Sequence, residues 1–168
     1  DMITSGRQFL TYACGISSFY DLPWLNGVLA IFYLAITSAL LVEAFEMKDK
    51  VFATLTGVLT ATFPALVSTF CYAYTIDGYM LAVLCSVAAY AVTRKYKWGF
   101  LPGILLVGVS LGIYQAYYSF TILLCILGLL SDILSEKKGK ELVLPAFRFL
   151  GMGIGGYLFY FVTLKVML

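Results

Sequence analysis

The sequence predicts an all-α protein, a polytopic transmembrane helix bundle of about six spans that follows an amphipathic interfacial helix. The 168 residues are 62% hydrophobic and 12% charged, whereas soluble domains are about 25% charged. Several apolar runs are long enough to cross a bilayer. We expect a single transmembrane domain over residues 1–168, with an outer interfacial segment at 1–23 and the helical bundle at 24–168. We also expect this domain to be part of a longer protein.

The N-terminal segment predicts a helix that lies in the membrane interface. Apolar residues recur there at helical spacing, namely Phe9, Tyr12, Ala13, Ile16, Phe19 and Tyr20, and Gln8, Thr11, Ser17 and Ser18 fall on the opposite side. A helix with one apolar and one polar face is suited to the interface rather than to the bilayer core.

Three apolar runs follow, at residues 24–42, 51–72 and 78–92, and each predicts a transmembrane helix. Pro64 falls inside the second run. A proline inside a helix removes one backbone hydrogen bond, so we expect a kink there.

The uncharged run at residues 98–131 is too long for one straight span, which needs about 20 residues. We therefore predict two shorter helices that meet in a turn within residues 112–118, the most polar part of the run. The last span is expected at 149–167, with 142–148 as an interfacial lead-in.

The distribution of positive charge predicts the orientation. Most Lys and Arg residues fall in loops that these spans place on one side, namely Lys48, Lys50, Arg94, Lys95, Lys97, Lys137, Lys138, Lys140 and Arg148. Arg7 and Lys165 fall on the other side. The positive-inside rule puts the larger group in the cytoplasm. Residues 1–23, the turn around Asp77 and the turn at 114–118 then face outward.

Asp77 is the one charge between Lys50 and Arg94, and apolar runs flank it on both sides. A carboxylate in this position is costly unless it meets water, a partner or a substrate. One interpretation is structural, with Asp77 as the N-cap of the next helix and Gly78 easing the bend. The other is functional, with Asp77 at the mouth of a polar cavity. The two interpretations are compatible.

The cysteine and histidine content limits which catalytic bases, metal ligands and disulfides the chain can have. The chain has no His, so imidazole bases and the commonest metal ligand are excluded. Cys85 and Cys125 fall inside apolar runs and are expected to be small core residues. Cys14 and Cys71 could form a disulfide if both lie at the outer face.

The outward-facing elements together offer a candidate site. It would contain Asp1 and Arg7 from the N-terminal segment, Tyr74, Asp77 and Tyr79 from the first turn, and Tyr114, Gln115 and Tyr117 from the second. Carboxylates and amides bind hydroxyl groups, and Tyr rings cover the apolar faces of sugars. The guanidinium of Arg7 could hold a phosphate. An ordinary aromatic belt with scattered polar residues would explain the same residue types.

Three segments carry a resemblance to a known family. They are Ser5-Gly6-Arg7 before the amphipathic helix, Thr75-Ile76-Asp77-Gly78-Tyr79 at the start of a span, and Leu111-Gly112-Ile113-Tyr114-Gln115-Ala116-Tyr117 at the end of another. In this order they resemble the bacterial membrane glucosyltransferases of the O-antigen serotype-conversion type, the Gtr type II family of the GT-C superfamily. The resemblance covers nearly the whole chain.

The resemblance implies transfer of a sugar, expected to be glucose, from a polyprenyl-phosphate donor at the outer face of the cell membrane. The acceptor would be a surface polysaccharide or its lipid-linked precursor. In such enzymes the main catalytic acids lie in an outer loop upstream of the Ser-Gly-Arg match, and Asp1 would be a remnant of that loop. Asp77 and Gln115 match substrate-contacting positions. A divalent cation is left open, and nothing in the sequence indicates nucleic-acid binding.

Two other classes of protein fit the composition. A transporter or flippase for a lipid-linked sugar would use the same aromatic cavity without chemistry. Such proteins usually contain internal repeats, and none is evident here. A structural membrane subunit without a site is the third interpretation.

Overall fold

The computed structural model describes residues 3–15, 22–136 and 138–168, and the regular structure in these ranges is entirely helical. The helices are α1 (Leu10–Ala13), α2 (Pro23–Ala44), α3 (Lys50–Thr62), α4 (Pro64–Thr69), α5 (Ile76–Lys95), α6 (Phe100–Ile113), α7 (Tyr117–Leu134) and α8 (Lys140–Met167). The predicted all-α fold class is confirmed.

Five stretches in the described part of the chain are long and apolar enough to cross a membrane. They are α2, α3 together with α4, α5, α7 and α8. Helix α6 is apolar but has only 14 residues. At 1.5 Å per residue it is about 21 Å long, and a hydrocarbon core is about 30 Å thick. The predicted number of about six spans therefore corresponds to five stretches that are long enough to cross and one short helix.

The long uncharged run forms two helices, as the sequence predicts. Helix α6 ends at Ile113 and α7 begins at Tyr117, so the turn lies inside residues 112–118. Tyr114 has an extended backbone, with φ −154° and ψ 113°, and it ends α6. The two helices are antiparallel, and they return the chain to the end from which α6 started.

Helix α5 is the centre of the bundle. It packs against α2, α6, α7 and α8, and α6 packs against α8. Hydrogen bonds between buried hydroxyls support this packing: Ser86 Oγ and Ser110 Oγ are 2.8 Å apart, and Ser110 donates to the Ala82 carbonyl at 2.9 Å. Ser86 also reaches the Tyr117 carbonyl at 3.3 Å, which fixes the start of α7 against α5.

The bundle has two chemically different ends. The tyrosine end holds residues 3–15, the turn at 70–75 and the turn at 114–116. The basic end holds the loops at 45–49 and 96–99 and the described residues 135–136 and 138–139. Contacts across the basic end are an Arg94–Asp132 ion pair at 3.0 Å, a Lys95–Glu43 ion pair and a 2.6 Å hydrogen bond from Arg148 to the Thr93 carbonyl. The described cations predicted to be cytoplasmic all belong to this end. Which end faces the cytoplasm stays a prediction.

Two boundaries differ from the sequence-based expectation. Pro64 does not kink one helix, because α3 stops at Thr62 and Pro64 is the first residue of α4. Proline is tolerated at that position since the first helical N–H groups have no partner within the helix. The segment at 142–148 is continuous with the last span in α8, which contains Pro145, and its interfacial position stays a prediction.

The four cysteines are free thiols. Cys85 and Cys125 are buried, as expected for core residues. Cys14 and Cys71 both belong to the tyrosine end, but the disulfide considered from the sequence is not formed. Cys14 is buried and Cys71 is exposed.

Candidate active site

The N-terminal segment, residues 3–15, lies across the tyrosine end and contacts three helices. The Phe9 N–H donates to the Gly112 carbonyl at 2.9 Å. The Gln8 amide donates to the Tyr160 carbonyl at 3.2 Å and to Thr163 Oγ1 at 3.0 Å. The segment is therefore fixed to the end of α6 and to the last turns of α8.

The faces of this segment differ from the predicted ones. Gln8 was expected on the polar side but is only 1% exposed. Helix α1 covers only Leu10–Ala13 of the expected helix, and residues 16–21 lie outside the described ranges. Hydrogen bonds to α8, about 150 residues later in the chain, orient the segment. The spacing of apolar residues within the segment cannot predict such distant contacts.

Asp77 lies in the first turn of α5 and is 2% exposed. The N-cap of α5 is Thr75, so the capping interpretation of Asp77 is wrong. A carboxylate in the first turn is still stabilised by the helix dipole. Helix α1 covers Asp77, and the Cys14 thiol makes a hydrogen bond with its carboxylate.

Close approach of α1 to α5 depends on Gly78. A Cβ at this position would lie 2.6 Å from Cys14 Sγ, closer than any ordinary contact. Burial, and then the negative charge of Asp77, raise the pKa of the Cys14 thiol from 9.0 to about 12. Cys14 therefore stays protonated at neutral pH, which suits a donor beside a carboxylate.

Arg7 stacks on a cluster of tyrosines. Its guanidinium carbon is 4.9 Å from the centroid of the Tyr114 ring, within the range of a cation–π interaction. The Tyr114 ring lies 5.1 Å from that of Tyr79 and 5.4 Å from that of Tyr117. The N-terminal segment, α5 and the α6–α7 turn thus bring a cation onto an aromatic surface.

Gln115 belongs to a hydrogen-bonded group with Tyr160 and Gly6. Its amide donates to the Tyr160 hydroxyl at 2.6 Å and reaches the Gly6 carbonyl at 3.5 Å. The Tyr160 hydroxyl donates to the same carbonyl at 3.2 Å. Gly6 has φ +76°, and a Cβ there would collide with Gln115 and Tyr160. A glycine is required at this position for both reasons.

The structure brings most of the predicted site residues together, at the tyrosine end. Arg7, Tyr79, Tyr114 and Tyr117 form the stacked cluster, and Gln115 lies at its edge in the same turn. Asp77 is in the neighbouring helix turn, beneath α1. Tyr74 is 61% exposed in the turn before α5. Asp1 lies outside the described residues.

Sequence reasoning missed three residues that shape this end, namely Gln8, Cys14 and Tyr160. Tyr160 is one of thirteen tyrosines, and nothing in its sequence context separates it from the others. Gln8 was noted only as a polar residue. A buried amide in an interfacial segment has to find partners, but the sequence does not say where they are.

No group of three or more acidic, Cys or His side chains that could hold a metal ion occurs within the described ranges. What this end does offer is a carboxylate, a cation, an amide and stacked aromatic rings. Such a set can bind hydroxyl groups, cover the face of a sugar and hold a phosphate.

These features define a class, the multi-span membrane proteins with a polar and aromatic site at one end of the helix bundle. Over residues 1–168 the chain matches the family described as Glucosyl transferase GtrII. It therefore belongs to this family of glucosyl transferases, which favours an enzyme over the transporter and structural-subunit interpretations. No curated protein and no solved structure matches the chain.

Proposed function

We propose that the protein transfers a glucosyl group from a polyprenyl-phosphate donor to a surface polysaccharide or its lipid-linked precursor, at the tyrosine end and on the outer face of the membrane. It would be a transferase of the GT-C type. The observation that supports this most strongly is the placement of Arg7 over Tyr114, beside the helix turn that carries Asp77.

In the proposed reaction, the acceptor hydroxyl oxygen attacks the anomeric carbon of the donor sugar. The bond from that carbon to the phosphate oxygen breaks, and its electron pair leaves with the polyprenyl phosphate. Asp77 takes the proton of the acceptor hydroxyl, as a general base does. Arg7 stabilises the charge that develops on the phosphate. Asp1 would share the role of base.

The remaining side chains would bind and orient the substrates. Tyr79, Tyr114 and Tyr117 would stack on the sugar, and Gln115 would hydrogen-bond one of its hydroxyls through the amide oxygen, since the amide nitrogen already contacts Tyr160. Tyr74 would extend the aromatic surface toward the acceptor. Because α1 covers Asp77, the N-terminal segment has to move before Asp77 can reach a hydroxyl.

The test is an Asp77→Asn substitution in the full-length enzyme, which keeps the shape and removes the charge. Transfer of labelled glucose from the polyprenyl donor should fall by at least about a hundredfold, the usual contribution of a general base, while membrane insertion is kept. Asp49→Asn is the matched control, because Asp49 caps α3 through Val51 N–H and Asn caps equally well. Near-normal transfer by Asp77→Asn would overturn the assignment of Asp77.

A further inference from the structure

The span formed by α3 and α4 is interrupted part-way across the membrane. Phe63 separates the two helices with an extended backbone, φ −60° and ψ 123°. Helix α3 has 13 residues, so the break lies about 20 Å from Lys50 at 1.5 Å per residue. A hydrocarbon core is about 30 Å thick. Irregular backbone therefore occurs at membrane depth.

Helix α4 leads from the break toward the tyrosine end. Leu66, in α4, packs against the apolar cluster that contains Leu34 of α2 and Ile76 and Tyr79 of α5. The turn after α4 carries the exposed rings of Tyr72 and Tyr74.

The end of α3 leaves its last carbonyls without helix donors, and those of Thr60 and Thr62 are two of them. Pro64 has no N–H, so the Thr60 carbonyl loses the donor that a continuous helix would supply. The Leu66 N–H donates to the Phe63 carbonyl at 2.9 Å, so it is not directed at the Thr62 carbonyl. The carbonyls of Thr60 and Thr62 at the carboxyl end of α3 therefore take no part in the helical hydrogen-bond pattern.

Nothing in the described part of the chain buries this break. Helices α3 and α4 contain no buried residue, and the Phe63 side chain is 57% exposed. Lipid tails cannot donate hydrogen bonds, and irregular backbone at this depth is found only where it is buried in protein or lines a water-filled cavity. The carbonyls of Thr60 and Thr62, which the helix leaves without donors, therefore need donors from water or from a ligand.

We propose that the Phe63–Pro64 break lines a water-filled cavity that opens at the tyrosine end, and that the carbonyls of Thr60 and Thr62 accept hydrogen bonds there from the hydroxyl groups of a sugar ligand. The sugar contact rests on the proposed function, whereas the hydration of the break does not. Sugar hydroxyls and water are both donors, and the nearby tyrosine rings suit the apolar faces of a sugar.

Cysteine accessibility tests the hydration in the full-length enzyme on a cysteine-free background. Ala61→Cys and Ala65→Cys flank the break, and Ala35→Cys is the matched control, because it is an exposed alanine near the middle of the unbroken helix α2. A small, charged, membrane-impermeant thiol reagent should label positions 61 and 65 at least about tenfold faster than position 35, since thiolates form in water and not in lipid. Equal, negligible labelling at all three positions would overturn the proposal.

Pro64→Ala tests the sugar contact, because it restores the N–H and favours one continuous helix. We expect glucosyl transfer to fall about tenfold and labelling of Ala61→Cys to fall toward that of Ala35→Cys. Pro145→Ala, a proline change in α8 near the basic end, should alter neither glucosyl transfer nor the labelling of Ala61→Cys. Unchanged transfer in Pro64→Ala would overturn the sugar contact, whatever the result for Asp77→Asn, so the two failures are distinguishable.

Discussion

At the scale of single residues, the contact between Cys14 and Asp77 shows how the N-terminal segment covers a carboxylate. Both side chains are buried, and a thiol beside a carboxylate is stable only in its protonated form. The pKa of Cys14 rises from 9.0 to about 12 mainly because burial disfavours the thiolate. An unfolded chain would release this proton near pH 9. Stability from this contact is therefore complete below pH 9 and falls as the pH rises toward 12.

Cys14 should consequently resist alkylation in the folded protein. At pH 8, a maleimide should modify the exposed Cys71 at least about tenfold faster than the buried Cys14, because only thiolates react quickly. Mass spectrometry of peptides from each region after brief labelling measures both rates in one sample.

A second variant checks that the cover itself protects Cys14. Gly78→Ala places a methyl group against Cys14 Sγ and should separate α1 from α5, so that Cys14 becomes reactive. Gly57→Ala is the control, since a Cβ at that helical position meets nothing within 4 Å. Fast labelling of Cys14 in the unmodified protein would show that α1 does not cover Asp77.

At the scale of elements, α8 holds both the N-terminal segment and the α6–α7 turn through one hydroxyl. The Tyr160 hydroxyl accepts from Gln115 and donates to the Gly6 carbonyl, so its removal loosens two parts of the candidate site at once. Tyr160 is a positioning residue in this account, because its contacts are with protein groups.

Tyr160→Phe should lower transfer about fivefold to thirtyfold, with little loss of folded protein. Two hydrogen bonds are lost, each worth on the order of 1 kcal/mol, and 1.4 kcal/mol is about a factor of ten. Tyr157→Phe, one turn earlier in α8 and exposed, is the control. The KM for the donor should rise more than kcat falls, because Gln115 is expected to bind rather than react. If Tyr160→Phe and Tyr157→Phe transfer glucose equally well, Tyr160 does not position the candidate site.

The elements also show what the sequence could predict. The turn between α6 and α7 follows from a length argument, because 34 uncharged residues cannot form one span and the polar residues mark the turn. The sequence predicts the position of the irregularity at Pro64 correctly. It predicts a kink, however, whereas the structure has two separate helices, because whether a proline kinks or restarts a helix depends on the surrounding packing. The burial of Gln8 depends on Tyr160 and Thr163, which are distant in sequence, and no local pattern reveals such partners.

At the scale of the whole molecule, the separation of charge between the two ends is the main determinant of orientation. The described cations cluster at the basic end, whereas Arg7 and Lys165 are the cations of the tyrosine end. By the positive-inside rule, we expect the tyrosine end to face outward. This orientation would place the carboxylate, the cation and the aromatic rings of the candidate site where the proposed surface polysaccharide can reach them.

The measurement that tests this account most directly combines sidedness with activity. Tyr74→Cys and Lys138→Cys, each exposed at its own end, are introduced separately into the cysteine-free full-length enzyme. Intact cells are then treated with an impermeant thiol reagent, and glucosyl transfer is assayed. The account predicts that position 74 is labelled and loses transfer on labelling, while position 138 is neither labelled nor affected. Labelling at position 138 with none at position 74 would contradict both the orientation and the site.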